Sequence, residues 1–79
     1  MLWQFNYTAF FVKQVRDLQH DFQRKRLAEL MERLKQLDDP RDKGGPYLNA
    51  WAYIFSGKSM VLCEIYDDRQ IVEFFRIIL

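Results

Sequence analysis

The chain is poor in nearly everything from which a conventional active site is built. Cysteine occurs once, as Cys63, and histidine once, as His20. A single thiol excludes an internal disulfide, and one thiol with one imidazole cannot supply the ligands of a structural zinc site. Three glycines in 79 residues form no phosphate-cradling loop and no nucleophile elbow. No apolar run approaches the roughly 20 residues that span a bilayer, and residues 1–7 lack the basic start and apolar centre of a secretion signal. Excess charge is missing too: 12 basic against 11 acidic side chains leave +1, little of the long-range field expected of a strong nucleic-acid binder. The expectation is a soluble cytoplasmic protein that needs neither metal nor cofactor.

What the chain does have is apolar and aromatic mass, 49% and 16% of its residues. That suffices for one core, so residues 1–79 form one domain of modest stability that a partner can prop. Residues 3–7 alternate, with Trp3, Phe5 and Tyr7 on one side, the period of a half-buried strand. Thr8 then caps a helix whose stripe is Phe11, Val15, Leu18 and Phe22. His20-Asp21 breaks it, and Leu27, Leu30, Met31, Leu34 and Leu37 form a second stripe that Pro40 ends, because the residue before a proline leaves the α region. Residues 38–46, rich in Asp, Gly and Pro, read as a loop. Residues 47–55, 60–66 and 71–79 read as three strands joined by the polar turns 56–59 and 67–70. The expected fold class is α+β, in the order β-α-α-β-β-β: an antiparallel sheet packed on one face by two helices, with the first strand at an edge or beside the last.

Few residues offer chemistry. Asp67-Asp68 is a turn pair, since neighbouring carboxylates in a β-turn diverge. His20 can serve as a general base or simply as a polar residue at the interhelical bend. Arg24-Lys25-Arg26 is either a solvated helix face or a phosphate contact. Arg76 interrupts Phe74-Phe75 and Ile77-Ile78, where an inward guanidinium would need a partner; it shares a strand face with Val72, Phe74 and Ile78 and is expected to face a wet, concave sheet surface. Glu73, on the other face, can pair with Lys58 or Arg69. In the strand 47–55 both faces are apolar: Trp51, Tyr53 and Phe55 on one, Leu48, Ala50, Ala52 and Ile54 on the other. Either Trp51, Tyr53 and Phe55 are core, or they form an exposed patch that binds a partner. Ile77 and Leu79 on the last strand invite pairing with another chain, including a second copy.

This order, with Leu34-x-x-Leu37-Asp38-Asp39-Pro40 closing the helices and Ser56-Gly57-Lys58-Ser59-Met60-Val61-Leu62-Cys63-Glu64-Ile65-Tyr66-Asp67-Asp68 spanning the central hairpin, resembles the RelE/ParE toxins of type II toxin–antitoxin pairs. The resemblance covers nearly the whole chain. It implies a cognate antitoxin as partner and a growth-inhibiting activity: ribosome-dependent mRNA cleavage without a metal in one branch, DNA gyrase poisoning in another, or antitoxin binding alone in a degenerate member. On the nuclease reading, Lys58 and Arg76 would be catalytic, and Arg41, Lys43, Lys58 and Arg76 would bind nucleic acid. The chain departs from that branch in having Ser59 where a turn arginine is expected and Ala50 and Ala52 where lysines are expected, and the family's C-terminal arginine and aromatic would fall beyond Leu79.

Overall fold

Thr8 marks the point where extended chain becomes helix: its hydroxyl accepts from the Phe11 N–H at 3.1 Å, satisfying one of the donors that a helix start leaves over. The computed structural model describes residues 3–79. Before Thr8 runs β1 (Gln4–Tyr7), and after it α1 (Ala9–Arg16) and α2 (Asp21–Leu34). A 3₁₀ turn (Pro40–Asp42) leads to β2 (Gly45–Tyr47), β3 (Ala50–Ser56), β4 (Ser59–Tyr66) and β5 (Ile71–Ile78). The strands form one sheet in the order β1-β5-β4-β3-β2. β1 is therefore both at an edge and beside the last strand, and it runs parallel to β5 while every other pairing is antiparallel. The β-α-α-β-β-β order stands, with a mixed sheet and one additional strand.

Both helices cover the same sheet face. Phe11, Leu18, Leu27, Leu30 and Leu34 meet Tyr53, Phe55, Val61, Cys63, Val72, Phe74 and Ile77 in one buried cluster. Each of the larger side chains contributes about 1.5–3 kcal/mol by leaving water. Phe74 is its hub, stacked on Tyr7 at 5.6 Å and edge-on to Phe5 at 5.3 Å between ring centroids.

Several expectations change at the boundaries. α1 stops at Arg16, and the Arg24 guanidinium donates to the carbonyls of Arg16 and Leu18, so it finishes the first helix from the second. Phe22, placed in the first stripe by spacing, lies on α2 and is 57% exposed. α2 ends at Leu34 rather than at Pro40; Leu37 packs on the core after two residues of turn. Pro40 instead opens the 3₁₀ turn, with Asp39 accepting from the Arg41 N–H at 2.9 Å. The stretch read as a loop contains β2, and Tyr47 closes that strand instead of opening the next. The reversal falls at Leu48-Asn49, with Leu48 at φ 55°.

Candidate functional site

The helices leave the other sheet face uncovered, and alternation decides what it carries. Tyr53, Phe55, Val61, Cys63, Val72 and Phe74 point at the helices, so Ala52, Ile54, Met60, Leu62, Glu64 and Glu73 point away. Across this face the rows are Ala52 to Leu62 to Arg76, and Ile54 to Met60 to Ile78. A bulge changes the phase of β5: Cys63 pairs with Phe74 and Leu62 with Arg76, which leaves Phe75 as the extra residue. Beyond it Ile77 takes the core position, 3% exposed, and Arg76 is exposed. Arg76 thus does not share a face with Val72 and Phe74, as strict alternation predicts. It does lie on the wet face.

The uncovered face is consequently apolar around Arg76, with Ala52 and Leu62 themselves buried. Towards the β4–β5 turn it becomes acidic, because Glu64 pairs directly with Glu73. The Tyr66 hydroxyl donates to the Glu64 carboxylate at 2.7 Å, which raises the tyrosine's pKa, and the Arg69 guanidinium lies 4.6 Å above the Tyr66 ring. Glu73 makes no ion pair with Lys58 or Arg69: among the described residues the ion pairs are Lys35 with Glu32 and Arg41 with Asp67.

The four cations expected to hold nucleic acid do not converge. Arg41 is engaged by Asp67 through two bonds of 2.7 and 3.0 Å, which raise its own pKa and lower that of the carboxylate. Lys58 sits in the β3–β4 turn at the other end of β4, an eight-residue strand of roughly 26 Å. Arg76 pairs with Leu62, roughly 13 Å of strand from Lys58. Lys43 lies in the segment before β2, where its carbonyl accepts from the Trp51 indole at 2.8 Å.

The proposed partner-binding aromatics are also placed differently. Tyr53 and Phe55 are 2% and 7% exposed, and the Tyr53 hydroxyl donates to the Pro40 carbonyl at 2.6 Å. Trp51 is half-buried against the core. These three therefore pack the helix side of β3 and form no exposed patch, because the helices cover the aromatic face of this strand. Ile77 is core as well, whereas Leu79 is 71% exposed. Cys63 is fully buried, and desolvation pushes its thiol up to about 12, the behaviour of an inert packing residue.

A different feature lies along the edge of β3. β2 covers β3 only from Ala50 to Ala52, so Tyr53–Ser56 has no strand on that side. Two adjoining cavities of about 460 and 240 Å³ follow this open edge, sharing Leu30, Arg33 and Ile54. Arg26 and Lys43 complete their basic lining, and no acidic side chain lines either. The recurrence of Arg26, Leu30 and Arg33 at helical spacing was the available signal; what it lacked was the edge beside it.

With this geometry in hand, comparison with solved structures gives consistent neighbours. The fold matches a chain of the intact RelBE toxin–antitoxin complex of E. coli with a TM-score of 0.73 at 10% identity, covering 95% of this chain and 93% of that one. It matches the archaeal RelE–RelB complex of Pyrococcus horikoshii OT3 with a TM-score of 0.71 at 15% identity, over 98% and 93%. The isolated E. coli RelE toxin matches with a TM-score of 0.65 at 16% identity, over 95% and 81%. No protein-family model and no curated protein sequence matches the chain. The chain has the fold of the RelE toxins.

Proposed function

We propose that the chain is the toxin component of a type II toxin–antitoxin pair, held inactive in the cytoplasm by a cognate antitoxin, and that it inhibits growth by binding its target rather than by cleaving mRNA. The toxin half of this reading is supported by the shared fold, since the RelE neighbours include complexes with an antitoxin. The non-cleaving half is supported by one observation: on the uncovered sheet face Arg76 is surrounded by Ala52, Ile54, Met60, Leu62 and Ile78, of which Ala52 and Leu62 are buried, and the Arg69 guanidinium lies apart from it over Tyr66. Metal-free cleavage of a phosphodiester depends on several cations aimed at the charge that develops on the reacting phosphate. An apolar face beside paired carboxylates supplies the opposite environment.

Induced expression in a bacterium, with pulse labelling of translation and DNA synthesis and mapping of mRNA ends on ribosomes, tests both halves. The expected result is arrest without new mRNA ends, relieved by co-expressing the product of the neighbouring reading frame, and unchanged in Lys58→Ala/Arg76→Ala. DNA synthesis falling first would direct the search for a target to gyrase. New mRNA ends that disappear in the double variant would overturn the non-cleaving half. Normal growth would overturn the toxin reading and leave a partner-binding module.

A further inference from the structure

The uncovered sheet face carries its two kinds of charge in neighbouring rows. Glu64 and Glu73 stand directly opposite each other on β4 and β5, a cross-strand pairing of like charges that costs stability. The Tyr66 hydroxyl donates to Glu64, but neither carboxylate makes an ion pair among the described residues. One row along, about 7 Å away, Leu62 pairs with Arg76. This guanidinium is exposed and likewise makes no ion pair among the described residues. On either side of the two charged rows the face is apolar or aromatic. Met60 pairs with Ile78 towards one end, and Tyr66 with Ile71 towards the other; Ile54 adjoins Met60 and is 64% exposed. Along the strands the order is therefore apolar, cation, carboxylate pair, apolar.

We infer that this face is a self-association surface: two copies of the chain stack sheet on sheet about a two-fold axis that crosses the strands between the Leu62–Arg76 row and the Glu64–Glu73 row. Such an axis reverses the order of the rows. Each Arg76 then meets the other copy's Glu64 and Glu73, and Met60 and Ile78 of each copy meet Tyr66 and Ile71 of the other. The strands of the two sheets run antiparallel, within the roughly 30° at which aligned sheets pack. Charge complementarity selects a second copy as the occupant. A uniformly acidic partner is repelled by the carboxylate pair and a basic one by Arg76, whereas the same rows in reverse order satisfy both. Nucleic acid would meet two carboxylates beside its one guanidinium contact. Five strands about 4.8 Å apart and roughly 26 Å long offer about 500 Å² per copy, so the dimer buries about 1,000 Å², the lower end for a specific interface. It is therefore reversible and concentration-dependent. None of this depends on growth inhibition, so the dimer and the toxin reading stand or fall separately.

The experiment is sedimentation velocity of the full chain from about 5 to about 500 μM, with circular dichroism to follow folding. The chain is expected to pass from monomer to dimer with a Kd on the order of 10–100 μM. Arg76→Glu alone, and Glu64→Arg/Glu73→Arg alone, each set like charges face to face, and each should weaken the dimer at least about tenfold. Mixed together, the two variants complement each other at both charged contacts, so a heterodimer should form with a Kd within about threefold of the original; misfolded chains could not recover in this way. Ile54→Lys, at an exposed position where the fold loses little, should weaken the dimer without changing the dichroism. A monomer at every concentration would overturn the inference and leave the face to a different partner. Dimers unaffected by either charge variant or by Ile54→Lys would place the contact elsewhere, and folded charge variants whose mixture stays monomeric would refute the pairing of Arg76 with the carboxylates.

Discussion

The side-chain amide of Gln14 stands in for a missing strand beside Ile77: its nitrogen donates to the Ile77 carbonyl at 3.0 Å, and its oxygen accepts from the Ile77 N–H at 2.7 Å. β1 runs along β5 only as far as Phe74, and the Thr8 N–H makes the last backbone bond, to the Phe74 carbonyl. Past that point α1 replaces β1, and one glutamine satisfies both backbone groups of a core residue. Gln14→Ala is expected to cost about 2 kcal/mol, or roughly 10 °C in unfolding midpoint, because a part-buried donor and acceptor lose their partner together. Gln14→Glu keeps the acceptor but sets a carboxylate against the Ile77 carbonyl, so it should do no better. Thermal denaturation followed by circular dichroism would show this, and an unchanged midpoint would refute it.

Leu48 and Gly44 both have positive φ, at 55° and 78°, and should respond oppositely to substitution. Leu48 is 89% exposed, so Leu48→Asn gives up little packing and relieves a left-handed conformation costly for leucine; a gain of about 1 kcal/mol is expected. At Gly44 an added Cβ would lie 2.3 Å from the Ala52 carbonyl oxygen. Gly44→Ala should lose about 2–4 kcal/mol, and urea titrations of the two variants check the pair.

Burial raises the thiol of Cys63 from 9.0 to about 12 and raises the phenol of Tyr53 in the same direction. Both groups bind their protons more tightly folded than unfolded. Stability is therefore intact below the unfolded value and declines as pH rises from about 9 towards about 12. Denaturant midpoints measured across that window should fall, and the fall should be shallower in Cys63→Ala.

The Arg41 hydrogen bonds hold the Asp67 carboxylate below its ordinary 3.8. The sign is opposite to that of Cys63: the contribution is present above the ordinary value and lost as pH falls through the lower folded one. A ¹³C-detected titration should find Asp67 midway at a lower pH than free aspartate, and Arg41→Ala should return it to the ordinary range.

Most of this architecture was legible because side-chain period reports which face is buried. The strand at Phe5, the cap at Thr8, the break at His20 and the three long strands all follow from spacing and turn chemistry. The failures have separate physical origins. The bulge at Phe75 moves Arg76 off the face that alternation assigns it, and alternation by itself cannot reveal an unpaired residue. β2 was missed because Gly45, Pro46 and Tyr47 resemble a loop, and a three-residue edge strand tolerates proline. Trp51, Tyr53 and Phe55 have the period of a strand face, but two apolar faces give no indication of which one the helices take. Arg26 has the pattern of a solvated helix charge, and what sets it apart, with Arg33, is the edge of β3, which is distant in the chain.

The parallel pairing of β1 with β5, Gln4 beside Ile71 and Tyr7 beside Phe74, joins segments from nearly opposite ends of the chain. Closing so long a loop is entropically slow, and its contacts reward the chain only once both ends are free to meet. During synthesis Phe5 and Tyr7 must wait, unmatched, until Val72 and Phe74 have left the ribosome. A partly made chain can build its helices and the β3–β4 hairpin but has no strand to seat the N-terminus. The sheet is therefore completed only once β5 is available to seat the N-terminal strand.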